Sequence, residues 1–390
     1  MRTQVAIIGA GPAGLLLSQL LHLAGIESVV LESRSRQHVE GRIRAGILEP
    51  STVELLREAG AHARLDREGL VHHGIEIAME GERHRIPLSE LTGGRCVTAY
   101  GQTKVVQDLI ALRLASGGDI RFETPASRLA DIASDRPKLV FQEKGREREL
   151  ACDFIAGCDG SHGIARSGIP EAVCRVRERF YPFAWLGILV EAKPIGAELV
   201  YARHSRGFAL FSLRSPSLAR NYIQCPPEED LALWPDERIF EEMRLRLEDP
   251  EGRLVRSGSV LDKSLTPMRS FVVEPMRHGR LFLAGDAAHI VTHTGAKGLN
   301  LAAADVRLLS EALIEFYRTG ATALLESYST RALARVWKAQ RFSWWMTSML
   351  HKFPDEDSFE TRLHRAELDY LLSSRAAMTS LAENYVGLPF

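Results

Sequence analysis

The sequence predicts an α/β fold in which a β-rich segment separates two α/β parts and a set of helices closes the chain. Residues 4–32 alternate an apolar strand, a glycine turn, an apolar helix and a second strand. Between Phe183 and Thr266, stretches such as AELVYAR and RNYIQCP alternate apolar and polar residues, as half-buried strands do. After residue 306 the apolar residues recur at spacings of three and four, which indicates helices.

These patterns divide the chain into three parts. We expect a discontinuous α/β domain from residues 1–70, 97–180 and 268–345, and a β-rich domain from residues 71–96 and 181–267. Residues 346–390 are expected to form a C-terminal helical or interface region. In the β-rich part, residues 71–88 alternate around Gly81 as a hairpin would, and one helix is expected near residues 236–248.

Composition and charge exclude several classes of protein. Of the 390 residues, 45% are hydrophobic and 25% are charged, and the formal net charge of −1 predicts no long-range attraction to nucleic acid or anionic membrane. No apolar run approaches the about 18 residues that a membrane span needs. The five cysteines form no CxxC pair, which argues against a zinc ribbon and a disulfide framework. We therefore expect a cytoplasmic protein without a bound metal.

The glycine turn near the N-terminus has the spacing of a dinucleotide-binding loop. Gly9, Gly11 and Gly14 fit GxGxxG, in which the first permits a tight turn, the second lets the backbone approach a pyrophosphate and the third lets helix and strand pack closely. Glu32 ends the second strand, where an acid can bind the ribose hydroxyls of an adenosine. The motif predicts a Rossmann-like unit, but a purely structural turn has the same pattern, and the unit alone does not exclude NAD.

Two later motifs decide between the dinucleotides. Asp159-Gly160 follows a predicted strand at residues 153–156, and Gly285-Asp286 follows an apolar strand at 281–284. Together with the glycine loop and with GRIRAGILE, YGQT, TGAKGLNLAA and AENYVGLP, they resemble the single-component flavoprotein aromatic hydroxylases. The resemblance covers essentially the whole chain and is strongest to the members that hydroxylate 4-hydroxybenzoate. It implies an FAD-binding fold of the glutathione-reductase type.

The resemblance also implies an activity and its cofactors. These are tight, non-covalent FAD, transient NADPH or NADH, and O2, used to convert the small aromatic carboxylate 4-hydroxybenzoate to 3,4-dihydroxybenzoate in a homodimer. The cofactor has to carry this chemistry, because the reaction of O2 with a phenol alone is spin-forbidden. Two alternatives stay open, namely a relative acting on another para-substituted benzoate such as 4-aminobenzoate, and a flavin-binding redox sensor without turnover.

Cofactor contacts are implied where residues match the motifs of that family. Lys297 precedes a helix whose N-terminal N–H groups and positive dipole end would stabilise a reduced, anionic flavin, and the alternative for it is a solvated lysine. The implied FAD contacts are Gly9, Gly11, Ala13, Gly14, Glu32, Arg42, Arg44, Gln102, Asp159, Asp286, Lys297, Leu299 and Asn300. The implied NAD(P)H contacts are Ser33, Arg34, His38, His162 and Arg269.

The carboxylate end of the substrate is implied to meet Ser212, Arg214 and Tyr222, with Leu213 beside them. An arginine presents a planar fork that binds a carboxylate in a bidentate manner, which lysine cannot do. Ser212 and Arg214 are two residues apart, so on one strand their side chains would point to the same face.

The phenol end is implied to meet Tyr201 and Tyr385, which would pass the phenolic proton toward His72. Ionising a phenol, with a free pKa of about 10, requires such a relay near neutral pH. His72 suits the outer end of the relay because an imidazole titrates near physiological pH. Arg220 is implied to assist a movement of the flavin ring, so catalytic roles are expected for these four residues.

The coenzyme region departs from the family pattern. NADPH-preferring members commonly have an arginine after the ribose-binding acid and a tyrosine five positions later, whereas this chain has Ser33 and His38. Arg34 and Arg36 lie between them and can still reach a 2′-phosphate, so the preference stays open, with a lean toward NADPH. Ala13 replaces a typical serine of the glycine loop.

The loop before the TGAKG motif departs as well. The family usually has Pro-Pro where this chain has Thr292-His293, followed by Thr294, and these residues are implied to lie beside the substrate. Two prolines fix two φ angles, so their absence predicts a less rigid loop and some loss of reducing equivalents to H2O2. His293 is expected either to face solvent or to contact the phenol.

Overall fold

The computed structural model of the chain describes residues 1–43, 46–191, 198–215, 217–247 and 258–388. The implied FAD contact Arg44 lies outside these residues. The helices are α1 (Pro12–Leu23), α2 (Arg36–Gly41), α3 (Pro50–Glu58), α4 (Ala63–Glu68), α5 (Leu88–Leu91), α6 (Gln102–Ala115), α7 (Asp236–Arg246), α8 (Gly298–Thr319), α9 (Ala323–Leu350), α10 (Ser358–Ser373) and α11 (Arg375–Tyr385).

The strands form four sheets in the described part of the chain. In the first half they are β1 (Val5–Ile8), β2 (Ser28–Leu31), β3 (Ile47–Leu48), β4 (Leu70–His72), β5 (Ile75–Met79), β6 (Glu82–Ile86), β7 (Val97–Ala99), β8 (Asp119–Arg121), β9 (Ala126–Ala130), β10 (Lys138–Glu143), β11 (Arg146–Ala151) and β12 (Phe154–Gly157). They continue as β13 (Arg175–Glu191), β14 (Leu199–Ala202), β15 (Ala209–Phe211), β16 (Leu213–Ser215), β17 (Leu218–Cys225), β18 (Ser259–Glu274), β19 (Arg277–His278), β20 (Leu281–Leu283) and β21 (His289–Ile290).

The glycine-loop strand lies in the middle of a largely parallel sheet. The strand order is β19-β20-β12-β1-β2-β8, and β1 runs parallel to both β2 and β12. Carboxyl ends of parallel strands meet at one edge, where such sheets bind ligands. Gly9, Glu32, Asp159 and the Gly285-Asp286 turn each follow one of these strands, so they share that edge. The α/β prediction with a Rossmann-like unit is confirmed.

Apolar packing explains why this unit forms. The residues of β1 are entirely buried, and α1 packs against both α6 and α8 through leucines such as Leu15 and Leu17. The segment after Asp159-Gly160 contains a short 3-10 helix, Ala165–Gly168. It is short because Pro170 follows closely and restricts the residue before it to extended backbone.

The β-rich insertion is one large sheet in the order β21-β18-β13-β17-β15-β14-β5-β6, with β16 paired to β17. The predicted hairpin is confirmed as the antiparallel pair β5–β6, and the predicted helix is confirmed as α7. β4, at the start of the predicted hairpin segment, instead pairs with β7 in the small sheet β3-β7-β4. The domain boundaries expected above stay a prediction.

The two faces of the large sheet pack against different elements. One face packs on α7 through residues such as Val200, Phe211 and Met243. The other carries Trp185, Tyr201 and Phe208 toward the C-terminal helices, where Tyr385 belongs to the same buried cluster. Side chains of adjacent strands that are directly opposite share a face. Tyr201 is opposite Leu210, and Leu210 is opposite Tyr222, so the two tyrosines lie on this same face two strands apart.

We predict that Gly14→Ala destabilises the protein far more than Gly11→Ala. A Cβ at Gly14 would lie 2.1 Å from the backbone oxygen of Gly9, which cannot move without breaking the β1–α1 turn. A Cβ at Gly11 meets no atom within 4 Å, and Gly11 has φ −74°, which alanine adopts freely. Overpacking of this kind costs about 1–3 kcal/mol. Urea unfolding of each variant, freed of bound nucleotide, measures the difference; equal midpoints would contradict the packing argument.

Candidate active site

The glycine loop has the backbone geometry that its spacing predicts. Gly9 has φ +101°, a conformation that side chains other than glycine rarely adopt, and a Cβ there would lie 2.5 Å from the oxygen of Cys158. The Glu32 carboxylate binds the backbone of the glycine loop. Its Oε2 accepts the Ala10 N–H at 2.8 Å, and its Oε1 accepts the Arg34 N–H at 2.8 Å. The acid is thus fixed beside the open space over Gly11.

Asp159 presents a buried oxygen that lacks a partner in the described part of the chain. Its Oδ2 accepts the Ala165 N–H at 2.8 Å, whereas its Oδ1 is buried without a hydrogen bond. Burial raises the pKa of Asp159 above its usual value. A Cβ at Gly163 would lie 2.0 Å from the Asp159 Cγ, so only glycine fits there. An unsatisfied buried acceptor at the edge of the sheet suits a hydroxyl or N–H of a ligand.

Asp286 is held by a buried pair that the sequence analysis missed. The turn Gly285–Ala287 exposes Asp286, and the Gly285 N–H donates to Asp305 Oδ2 at 2.9 Å. The same Asp305 oxygen lies 2.6 Å from His289 Nε2, and both side chains are buried. Burial opposes the charge of the imidazole, but the Asp305 carboxylate outweighs it and raises the pKa of His289. The pair fixes the turn from beneath and leaves the Asp286 carboxylate facing outward.

Lys297 is a buried ion-pair residue, so the alternative of a solvated lysine is wrong. Its Nζ donates to Glu49 Oε1 at 2.7 Å and to the Tyr385 carbonyl at 2.8 Å, and Arg335 Nη2 donates to Glu49 Oε2 at 2.9 Å. Burial lowers the pKa of Lys297, and the Glu49 carboxylate opposes this decrease. Asn300 joins the cluster by accepting the Glu49 N–H at 2.9 Å.

Two buried phenols meet at the C-terminal helix. The hydroxyl oxygens of Tyr201 on β14 and Tyr385 at the end of α11 lie 2.7 Å apart, and both residues are about 1% exposed. Burial raises the pKa of both, and for Tyr201 the neighbouring Tyr385 and Tyr222 raise it further. Both phenols therefore stay protonated at neutral pH.

The expected carboxylate contacts lie on neighbouring strands of the large sheet. Arg214 Nη1 is buried and makes no hydrogen bond within the described residues. Ser212 is buried and lies between β15 and β16, so the expectation that it shares one strand with Arg214 is wrong. The Ser212 carbonyl still accepts the Arg220 N–H of β17 at 2.8 Å, and the chain continues as β16, which holds the buried Leu213 and the half-buried Arg214. Tyr222 on β17 is half-buried and lies 4.9 Å from the Trp185 ring, centroid to centroid.

His72 differs from the expected solvent-side acceptor. It is fully buried on β4, and neither ring nitrogen has a hydrogen-bond partner in the described part of the chain. Burial, assisted by the positive charge of Arg214, lowers the pKa of His72 to about 4. The expectation of titration near neutral pH is therefore corrected, because desolvation disfavours the charged imidazole.

Arg220 is held in a fixed position next to Tyr222. It is buried, with Nη1 donating to Asp262 at 2.8 Å and Nη2 donating to Ser264 at 2.6 Å. A Cβ at Gly187 would lie 2.8 Å from Arg220 Nη2, so this glycine leaves room for the guanidinium. Neither the two partners nor the glycine carries a local sequence motif.

The Thr292-His293 loop is more tightly held than expected. Thr292 is fully buried, and its Oγ1 lies 2.7 Å from Thr347 Oγ1 on α9. Thr294 is also buried, and Thr347 Oγ1 lies 3.0 Å from its hydroxyl. His293 is exposed, with its ring 6.0 Å from the Trp185 ring and its Nδ1 3.4 Å from Met268 Sδ, and both of its alternatives stay predictions.

The remaining predicted contacts lie at the surface or at element ends. Ser33, Arg34, His38 and His162 are exposed, and Arg269 is half-buried with Nη1 3.2 Å from Glu178 Oε1. Among the implied FAD contacts, Arg42 is exposed and Gln102 begins α6. Ala13 is buried and Leu299 is half-buried. The structure thus gathers Tyr201, Tyr385, Tyr222 and Lys297 at the C-terminal helices, while the implied coenzyme contacts lie outside that cluster.

Known proteins resemble this chain in sequence. A family model described as an FAD binding domain matches residues 2–343. The p-hydroxybenzoate hydroxylase of Acinetobacter baylyi is 50% identical over 390 residues, which is 100% of this chain and 96% of the relative. The chain belongs to the flavoprotein aromatic hydroxylase family. The FAD-binding and monooxygenase predictions are therefore confirmed.

More distant relatives of this hydroxylase have other substrates in their names. The 4-methyl-5-nitrocatechol 5-monooxygenase of a Burkholderia species is 26% identical, over 96% of this chain and 72% of that protein. The crystal structure of p-nitrophenol 4-monooxygenase from Pseudomonas putida has a TM-score of 0.84 with 20% identity, covering 100% of both chains. At such identity the likeness shows the fold alone.

The residues at the sheet edge fit FAD. Open space over Gly11, the unsatisfied Asp159 Oδ1 and the outward Asp286 are the features that a pyrophosphate and a polyhydroxylated chain require. Over the described residues, no helix of the hydroxylase is long and apolar enough to cross a membrane. Nor do histidine, cysteine and acidic side chains there gather into a group that could hold a metal ion.

We predict that stability falls as the pH decreases from about 6.5, and that His72→Gln reduces this dependence. The unfolded imidazole binds a proton below its usual pKa of 6.5, whereas folded His72 does so only below about 4. Between these values the unfolded state holds more protons, so acid favours unfolding, by up to about 1.4 kcal/mol per pH unit for one histidine.

Urea unfolding at pH 7 and pH 5 measures this effect. His73→Gln is the matched control, because the neighbouring His73 is an exposed histidine on the same segment. His351, whose pKa burial lowers to about 3, contributes the same sign and remains in both variants. An unchanged pH dependence in His72→Gln would show that His72 is hydrated in solution.

Proposed function

We propose that the chain is an FAD-dependent monooxygenase that converts 4-hydroxybenzoate to 3,4-dihydroxybenzoate, with NADPH or NADH and O2 as co-substrates. The observation that carries the proposal is the placement of buried polar groups at two sides of the large sheet. Arg214 Nη1, which has no hydrogen-bond partner among the described residues, lies on the β16–β17 side, and the bonded hydroxyls of Tyr201 and Tyr385 lie on the β14 side. A ring with a carboxylate at one end and a hydroxyl at the other matches both sides.

At the carboxylate end, Arg214 would bind the anion and Ser212 and Tyr222 would donate hydroxyl hydrogen bonds. A guanidinium nitrogen that is buried without a partner is costly, and a carboxylate offsets that cost with charge-assisted hydrogen bonds. Two strand spacings, about 10 Å, separate the backbones of Tyr222 and Tyr201. One small ring with a polar group at each end can therefore meet both tyrosines, which favours para substitution.

At the phenol end, Tyr201 would bind the substrate hydroxyl and Tyr385 would take the proton onward over the 2.7 Å contact between their oxygens. Because both tyrosines stay protonated, each can donate one proton as it accepts another. The phenolate that results is stabilised by a charge-assisted hydrogen bond from Tyr201. Its added electron density lies on the carbon next to the oxygen, which is the 3-position. His72, neutral above about pH 4, is proposed as the later acceptor.

The FAD would be held by the glycine loop, Glu32, Asp159, Asp286, Lys297 and Asn300. When bound and reduced, FAD supplies the activation of O2 and the transfer of one oxygen atom. The N-terminal end of α8 and the charge of Lys297 would favour the anionic form of the flavin. Arg220 keeps its proposed role in the movement of the flavin ring, held in place by Asp262 and Ser264.

Coenzyme, oligomer and location are further parts of the proposal. Arg36 is paired with Glu40 at 2.7 Å, which leaves the exposed Arg34 as the stronger candidate for a 2′-phosphate and a weak preference for NADPH. A homodimer and a cytoplasmic location are proposed as well. Phe359 and Tyr370 on α10, 68% and 60% exposed, supply apolar surface for a second copy, and the five cysteines are free.

We predict that 4-hydroxybenzoate strongly stimulates NAD(P)H oxidation by the FAD-loaded protein and that 3,4-dihydroxybenzoate is the product. Binding at both ends of the cavity is what brings the phenol to the relay. Spectrophotometric assay of NADPH and NADH oxidation, with the product identified by mass spectrometry, measures this. 4-Aminobenzoate serves as the competing substrate, since it has the same carboxylate but a different para group.

Arg214→Lys is the matched variant for the carboxylate end. Its Kd for 4-hydroxybenzoate should rise by about 10- to 100-fold, because one charged ammonium cannot replace the planar fork, while FAD content is retained.

Faster turnover of 4-aminobenzoate than of 4-hydroxybenzoate would reassign the substrate. A protein that binds FAD but oxidises NAD(P)H no faster with either compound would contradict the monooxygenase proposal.

A further inference from the structure

Three buried threonines tie the loop at residues 292–294 to helix α9. Thr292 Oγ1 lies 2.7 Å from Thr347 Oγ1 and 3.1 Å from the Ser343 carbonyl oxygen. Thr347 Oγ1 in turn lies 3.0 Å from Thr294 Oγ1 and 2.7 Å from the Ser343 carbonyl. All three threonines are fully buried. We call this group, with the Ser343 carbonyl, the hydroxyl clamp.

The clamp holds Thr292 at a backbone angle typical of proline. Thr292 has φ −59° and ψ 145°, and a proline ring restricts φ to about −65°. In a chain with proline here, the ring would fix this angle whether or not the loop touched α9. In this chain, side-chain hydrogen bonds fix it, and they do so only while the loop is docked. The rigidity that the sequence analysis expected to be lost is therefore supplied by Thr347.

The C-terminal end of α9 is also linked to Trp185 of the large sheet. Ser343 and Thr347 are one turn apart on α9 and so lie on one side of the helix, and His351 follows as the C-cap residue. His351 Nδ1 lies 3.0 Å from the Thr347 carbonyl oxygen, and its Nε2 accepts the Trp185 Nε1–H at 2.7 Å. The Trp185 ring packs at 4.9 Å against Tyr222, a proposed carboxylate contact.

We propose that Thr347 is a positioning residue for hydroxylation: its hydroxyl docks the loop of Thr292 and Thr294, and the helical turn that begins with it docks Trp185 through His351. One end of α9 thereby holds both the loop and Trp185, which are proposed to lie on two sides of the substrate ring. This inference rests on the proposed function, since it assigns the loop to the alignment of the substrate ring. A loop that undocks leaves the ring misaligned, so electrons from NAD(P)H reach O2 without hydroxylating the substrate.

The test removes the hydroxyl and keeps the shape with Thr347→Val, using the FAD-loaded protein. A buried hydroxyl hydrogen bond is worth enough for the undocked population to rise about fivefold, so amide hydrogen exchange at residues 291–296 should accelerate by that factor. Product formed per NAD(P)H consumed should fall, while 4-hydroxybenzoate still stimulates NAD(P)H oxidation. Thr347→Ser retains the hydroxyl and should behave as the wild type. Ser348→Ala, which removes the adjacent half-buried hydroxyl on α9, is the matched control.

A second variant separates the clamp from a general weakening of α9. Thr292→Pro fixes the φ angle covalently, so Thr292→Pro with Thr347→Val should restore part of the product yield and of the loop protection that Thr347→Val alone loses. The proposal is overturned if Thr347→Val exchanges its loop amides and forms product as the wild type does. It is also overturned if Ser348→Ala shows losses as large as those of Thr347→Val. If the wild type makes no 3,4-dihydroxybenzoate, the proposed function fails instead, and the exchange measurement still decides whether the clamp holds the loop.

Discussion

The buried charges of Glu49, Lys297 and Arg335 link parts of the chain that are far apart in sequence. Glu49 precedes α3, Lys297 precedes α8 and Arg335 belongs to α9, yet one carboxylate accepts from both cations. The cations also bind the carbonyl oxygens of Tyr385 and Leu388 at 2.8 and 2.7 Å. Removing one partner of a buried ion pair leaves an uncompensated charge and costs about 3–5 kcal/mol. The C-terminal segment is therefore docked by electrostatics as well as by apolar packing.

Docking of the C-terminal segment determines which residues face the side chains of the large sheet. The sheet provides Tyr201 and Tyr222 on one face, and residues of α9 and α11 pack against that face in the same buried cluster. Gly387 shows how close the approach is, since it has φ +92° and a Cβ there would lie 2.1 Å from Glu49 Oε2. With α11 in place, the Tyr385 hydroxyl reaches Tyr201, and the main-chain oxygen of the same residue reaches Lys297. The phenol relay and the candidate flavin site thus share one residue.

Local patterns in the sequence predicted the parts of the fold that depend on interactions between residues close together in the chain. The GxGxxG spacing predicted the Gly9 turn, and the alternation around Gly81 predicted the β5–β6 hairpin. Contacts between distant residues could not be predicted in this way, because no period or motif relates Glu49 to Lys297. The solvated alternative for Lys297 and the near-neutral pKa of His72 were wrong for the same reason. Both depended on burial, which the packing of several elements decides.

The loop at Thr292 shows a different limit. Comparison with a Pro-Pro pair correctly identified the departure, but the expected loss of rigidity considered only the backbone of the loop. The partner that restores it, Thr347, lies 55 residues away on α9, in a stretch that helical periodicity alone describes as core. Threonine in a helix often bonds its own backbone, as Thr347 does with the Ser343 carbonyl, so its second contact is visible only in three dimensions.

Hydrogen exchange of α11 in Glu49→Gln tests most directly whether the buried charge network docks the C-terminal segment. The amide keeps the shape of Glu49 but cannot neutralise Lys297 and Arg335, and Glu54→Gln on the exposed side of α3 serves as the control. We expect the amides of Arg375–Tyr385 to exchange at least about tenfold faster in Glu49→Gln than in the control, since a loss of 1.4 kcal/mol already corresponds to a factor of ten. Substrate-stimulated NAD(P)H oxidation should decrease in parallel. Protection of α11 in Glu49→Gln equal to that of the wild type would show that the buried charges do not dock the C-terminal segment.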